Sequence, residues 1–215
     1  MATLTTMSTV AGGTEDVAYV VSFGRLKING NELPSSGQQV LSFQVTTIST
    51  GTLEYFDLNG NWQAITITNI NAGLTVLVNA NGVYLKNDTG SDFNGIANGT
   101  GQQFGGGGIR WTGATDINGT LNAFRVKASE SDIALVAASA GTVQVKVTLA
   151  VANDAPVLNG GVDFYYNTGL TIVEDTAAGS IAGATISNVI SGRFADVDLP
   201  ANRSEERRVG KECCR

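Results

Sequence analysis

Short runs of alternating apolar and polar residues, broken at close intervals by Asn-Gly and similar pairs, dominate this chain. Alternation at period two puts one set of side chains on a buried face and the other toward water, the pattern of a half-buried strand. Such runs read VAYVVSF (17–23), LSFQVTTI (41–48), WQAITITNI (62–70), LNAFRVKA (121–128) and TVQVKVTLAV (142–151). In the last, Val143, Val145, Val147, Leu149 and Val151 share one face, and Gln144, Lys146 and Thr148 the other. Asn59-Gly60, Asn71-Ala72-Gly73, Asn81-Gly82 and Asn118-Gly119 supply residues that accept positive φ in tight turns. Seven or so strands over about 140 residues predict an all-β fold, an Ig-like antiparallel β-sandwich. The Gly/Asn-rich stretch 87–108, with four glycines at 105–108, is expected to be a long loop between strands.

Composition narrows what the sandwich can do. Gly accounts for 27 residues and Pro for 3, while only 15% of the chain is charged. No apolar run approaches the ~18–20 residues a spanning helix needs, and ATLTTMSTVAGG after Met1 lacks a basic stretch followed by an apolar one. Residues 203–215 (RSEERRVGKECCR) break sharply from what precedes them, with eight of thirteen residues charged. They resemble the conceptual translation of a sequencing-adapter oligonucleotide and are expected to be an artefactual tail. Both cysteines, Cys213 and Cys214, fall inside it. Taking its five basic and three acidic residues from the chain's 13 and 19 leaves eight and sixteen, a net charge of −8. That balance disfavours nucleic acid or an anionic membrane as partner and favours a cation.

An internal repeat organises the chain. Thr14-Glu15-Asp16-Val17-Ala18 recurs as Val173-Glu174-Asp175-Thr176-Ala177, and Asn31-Glu32-Leu33-Pro34 recurs as Val197-Asp198-Leu199-Pro200. Residues 1–12 are expected to be a leader or linker, 13–154 a complete repeat, and 155–202 the truncated start of a second one whose sandwich cannot close. The chain is thus expected to be an internal piece of a longer protein.

The phrases NGTLNAFRVKASE (118–130), GTVQVKVTLAVANDAPVL (141–158) and TIVEDT (171–176) resemble the cadherin-like and VCBS-type tandem repeats of large bacterial surface and secreted proteins. The resemblance spans most of 14–200, and the strand followed by Asn153-Asp154-Ala155-Pro156 is its most specific part. It implies tandem Ig-like sandwiches at the cell surface or in the medium, neighbouring repeats as partners, a cell-surface or glycan target, and Ca²⁺ at the repeat junctions. By that similarity the junction ligands are Glu15, Asp16, Glu130, Asp132, Asn153 and Asp154, with Asp196 and Asp198 from the second repeat. Ca²⁺ takes six to eight oxygen ligands, and extracellular modules hold it with dissociation constants of about 10⁻⁴ to 10⁻³ M. Repeat one departs from the pattern at Asn31, Glu32 and Glu130, which weakens its expected site. As ordinary turn and surface residues, the same acids would need no metal.

Nothing in the sequence points to catalysis. The chain has no His, no Cys outside the tail, no phosphate-binding Gly loop with its Lys, and no zinc spacing. Two other roles remain open. Trp62, Trp111 or the 87–108 loop could form the stacking platform of a carbohydrate-binding module, although packing of both tryptophans in the sandwich is the simpler reading. Alternatively, the fragment could be a spacer of a large secreted hydrolase or toxin.

Overall fold

The computed structural model describes residues 1–87, 101–105, 107–133 and 138–154, together with the backbone of two short strands at 157–158 and 194–195. The chain divides into two units, Met1–Ala152 and Asn153–Arg215.

The first unit is built from strands β1 (Val10–Thr14), β2 (Tyr19–Val21), β3 (Ser42–Ile48), β4 (Thr52–Phe56), β5 (Trp62–Ile65), β6 (Leu74–Asn79), β7 (Gly82–Asn87), β8 (Gly101–Phe104), β9 (Ile109–Thr112), β10 (Gly119–Ser129) and β11 (Val143–Ala150). Two sheets result, one of seven strands in the order β1-β11-β10-β3-β6-β7-β8 and one of four in the order β2-β9-β4-β5. Alternation explains how they pack. In β11, Val145, Val147 and Leu149 are buried while Lys146 is exposed, and in β9, Ile109 and Trp111 are buried beneath half-exposed Arg110 and Thr112. The two apolar faces close on one another: Tyr55 of β4 meets Phe104 of β8 edge-on, with ring centroids 5.0 Å apart. Phe43, Phe124, Leu53 and Trp111 fill the space between, each at 1% exposure or less. The fold is therefore an all-β sandwich. In the second unit, β12 (Val157–Leu158) pairs antiparallel with β13 (Phe194–Ala195).

Several expectations change in detail. One pairing is parallel, β1 with β11, and its register shifts between Ala11 and Gly13. The run 17–23 gives only the three-residue β2, because Ser22 then caps helix α1 (Phe23–Asn29), its hydroxyl accepting from the Arg25 amide at 3.3 Å. The run 62–70 likewise ends at Ile65, where Thr66 caps helix α2 (Ile67–Asn71) and accepts from the Asn69 amide at 3.1 Å. Val151, expected inside, is half exposed because β11 ends at Ala150. Part of the expected 87–108 loop is strand β8, anchored by buried Phe104, and residues 88–100 lie outside the described residues.

Residues 1–12 pack onto the first unit. Thr3 bridges Leu33 and Met7 bridges Gly30, while Ala2, Leu4 and Val10 are buried in the core. Asn31 secures this segment by accepting from the Thr5 and Thr6 amides at 3.0 and 2.8 Å. No helix among the described residues is long and apolar enough to cross a membrane.

Candidate functional site

The acidic end of the first unit is assembled from three stretches that meet where β1 finishes, β10 begins and β11 ends. The parallel β1–β11 register carries Glu15 to the end of β11, where its amide donates to the Ala150 carbonyl at 3.0 Å. Its side chain then turns inward and is only 1% exposed. One carboxylate oxygen accepts from the Ala152 amide at 2.6 Å, and the other from Asn118 Nδ2 at 3.1 Å. No ion pair to Glu15 is present among the described residues, so these neutral donors replace the water that burial removes.

Asp16 follows in the left-handed region, at φ 59°, and Asp116 in the β9–β10 turn adopts the same conformation at φ 58°. Aspartate tolerates this backbone better than most residues do. The two turns are tied together, the Asp116 amide donating to Asp16 Oδ1 at 3.1 Å. Their carboxylates each offer an oxygen within 4.8 Å of the other. Glu15, Asp16, Asp116 and Asn118 thus gather at one end of the sandwich, all hard oxygen donors of the kind Ca²⁺ takes.

Two of the other expected ligands, Glu130 and Asp132, are placed elsewhere. Glu130 and Asp132 follow the far end of β10, whose eleven residues separate them from Asn118 by roughly 35 Å. There Glu130 accepts from the Ser35 amide at 2.6 Å and the Ser35 hydroxyl at 2.7 Å. The backbone bond first, then the hydroxyl, hold its carboxyl below the usual glutamate value against the opposing effect of desolvation. Asp132 gives its backbone carbonyl to Asn79 Nδ2 at 2.9 Å. Asn153 and Asp154 open the second unit, where Asn153 Nδ2 donates to the Asp154 carbonyl at 3.5 Å. Asp196 and Asp198 lie outside the described residues. Glu32, the counterpart of Asp198, sits beside the N-terminal segment with Oε2 buried and without a hydrogen-bond partner among the described residues. Burial pushes its carboxyl up, opposed by a backbone hydrogen bond and by the Lys27 charge.

Sequence reasoning overlooked Asp116 and treated Asn118 only as a turn residue. A usable signal was present: Asp116-Ile117-Asn118-Gly119 places two oxygen-bearing side chains two residues apart before a turn glycine.

The tryptophans separate. Trp111 is fully buried, with Nε1 donating to the Thr50 carbonyl at 2.7 Å, so it cannot serve a surface platform. Trp62 lies half-buried on the outer face of the four-stranded sheet, meets Phe56 edge-on at 5.1 Å, and has the Arg110 guanidinium 4.4 Å from its ring centroid. Comparison with known proteins returns no matching family model, no matching curated protein and no matching solved structure.

Proposed function

We propose that this chain is a structural or adhesive repeat module of an extracellular or cell-surface protein, without catalytic activity, and that its acidic end binds Ca²⁺. The observation that carries this is the convergence of Glu15, Asp16, Asp116 and Asn118 at the end of the first unit from which the chain departs. In a tandem repeat that is the end where order matters, because the direction of the departing chain sets the path of an array. Asp16 and Asp116 would hold the cation, with Asn118 and backbone carbonyls completing a shell of hard oxygens. Bound Ca²⁺ would neutralise the acidic turns and oppose fraying of the β9–β10 loop and of the residues after β11. Placement of Glu130 and Asp132 at the opposite end leaves the carboxylates near Asp16 fewer than the family resemblance implies, which fits a weak, millimolar-range site.

The test is a thermal melt of the full chain in millimolar Ca²⁺ against the same buffer with chelator. A binder of the folded state raises Tm by mass action. An unchanged Tm up to tens of millimolar Ca²⁺, with Mg²⁺ as control, would remove the cation from this function.

A further inference from the structure

Glu15 is the most deeply buried acid among the described residues and has no cationic partner there. Its bonds are distributed in a way that a solvated turn residue would not need. Its amide is fixed to Ala150, the last residue of β11, and one carboxylate oxygen reaches past the strand end to the Ala152 amide at 2.6 Å. The other oxygen reaches across to Asn118, at the start of β10. One side chain therefore ties the residue leaving the sandwich to both the β1 end and the β9–β10 turn. Val151, between the two attachment points on the departing chain, is half exposed and adds little packing of its own.

We infer that Glu15 is a strap that fixes the course of the chain as it leaves the first unit, and that protein donors alone are sufficient for it to do so. The inference deepens the proposed function, since it concerns the same end of the sandwich, but its physical basis differs. Ca²⁺ held by Asp16 and Asp116 would act by charge neutralisation, whereas the strap acts through two hydrogen bonds to a buried carboxylate. Charge-assisted bonds of this kind are about twice as strong as neutral ones, and burial shields them from water and salt. The strap predicts a departing segment that is ordered at residue 152 before any cation arrives.

Amide hydrogen exchange of the full chain, followed by mass spectrometry in chelator and in millimolar Ca²⁺, tests this. In chelator, the peptide containing Ala152 should be protected. Glu15→Ala should accelerate its exchange by about tenfold or more while peptides from the middle of β11 keep their protection. Glu15→Gln, which retains an oxygen for the Ala152 amide, should preserve most of it. If Glu15→Ala fails to fold, Asn118→Asp supplies the same reading, because it replaces the donor on the second oxygen with a like charge; Ala152 should then exchange faster at low salt. An Ala152 amide that exchanges freely in wild-type chain without Ca²⁺, or an exchange rate unmoved by Glu15→Ala or Asn118→Asp, overturns the strap. Protection that appears only with Ca²⁺ overturns the strap and leaves the cation reading standing. Protection in chelator together with a Ca²⁺-independent Tm does the reverse.

Discussion

Arg110 grips Glu54 with two parallel bonds, Nε at 2.6 Å and Nη2 at 3.1 Å, on the outer face of the four-stranded sheet. The pairing follows from register, since Glu54 on β4 and Arg110 on β9 are direct cross-strand partners. Both side chains are less than a third exposed, and the guanidinium also covers the Trp62 ring, so the pair is better placed than an ordinary surface salt bridge. Arg110→Lys keeps the charge but loses the fork and most of the stacking. It should cost on the order of 1 kcal/mol in chemical denaturation and shift Trp62 fluorescence. A loss no greater than that of an exposed Lys146→Ala control would mean that the stack contributes nothing.

Trp111 is the largest fully buried side chain. Truncation to Ala should cost about 3 to 5 kcal/mol, and Trp111→Phe about 2, the latter through a smaller ring and an unpaired Thr50 carbonyl. Trp62→Phe should be nearly silent by comparison. Similar losses from both tryptophans would contradict the division between a core ring and a surface ring.

Gly51 carries the turn between β3 and β4 at φ 69°, where a Cβ would press on the Thr112 carbonyl and come within 2.9 Å of Trp111 Nε1. Gly51→Ala therefore combines an unfavourable backbone with a clash against the neighbouring strand. It should destabilise by about 2 kcal/mol or more, whereas Gly60→Ala, at φ 83° with open space around it, carries only the backbone cost of roughly 1 kcal/mol.

How much of this was legible depends on how each element is buried. β11 could be read from sequence because one face is buried and the other is wet, so period two survives in the residues. β6 was overlooked: all six of its residues are buried, which removes the alternation. β8 is held in the sheet by Phe104 within a Gly/Gln stretch that otherwise lacks strand character. Helices α1 and α2 are too short for a 3.6-residue period, and only their caps, Ser22 and Thr66, announce them. At the candidate site, Glu15 and Asp16 were visible as an acidic pair repeated at 174 and 175. The contribution of Asp116 was not, because it depends on the β9–β10 turn folding back onto the end of β1, about 100 residues away in sequence.

Three carboxyls make the pH dependence specific. Glu130 is held below its ordinary 4.5 by the Ser35 bonds, and Asp57 below its ordinary 3.8, first by the Asn61 amide and then by Gln63 and the neighbouring turn amides. A depressed carboxyl contributes stability that is present above its unfolded value and lost as pH falls through the folded one. Glu32 has the opposite sign: burial raises it above 4.5, so its ionised form costs stability at neutral pH, and that cost disappears as pH falls below 4.5. Glu32→Gln should therefore raise Tm at pH 7 and leave it unchanged at pH 3.5. Asp57→Ala should lower Tm at pH 7, with a smaller deficit at pH 3. A Glu32→Gln variant less stable than wild type at pH 7 would show that Lys27 and the backbone hydrogen bond outweigh its burial.

Asp16 and Asp116 place two like charges within 4.8 Å, on turns held together by the bond from the Asp116 amide to the Asp16 carboxylate. Without a cation their repulsion opposes the fold, by on the order of 1 kcal/mol or less at low salt because Asp16 is exposed. Asp116→Asn removes one of the charges and preserves the backbone amide that bonds Asp16. It should raise Tm slightly in chelator at low ionic strength, and 0.5 M monovalent salt should erase the gain by screening. In millimolar Ca²⁺ the order should reverse, wild type becoming the more stable because it keeps both carboxylates for the ion. The crossing of the two Tm curves is the decisive measurement. If Asp116→Asn melts above wild type at every Ca²⁺ concentration, the acidic turns repel one another without recruiting a cation.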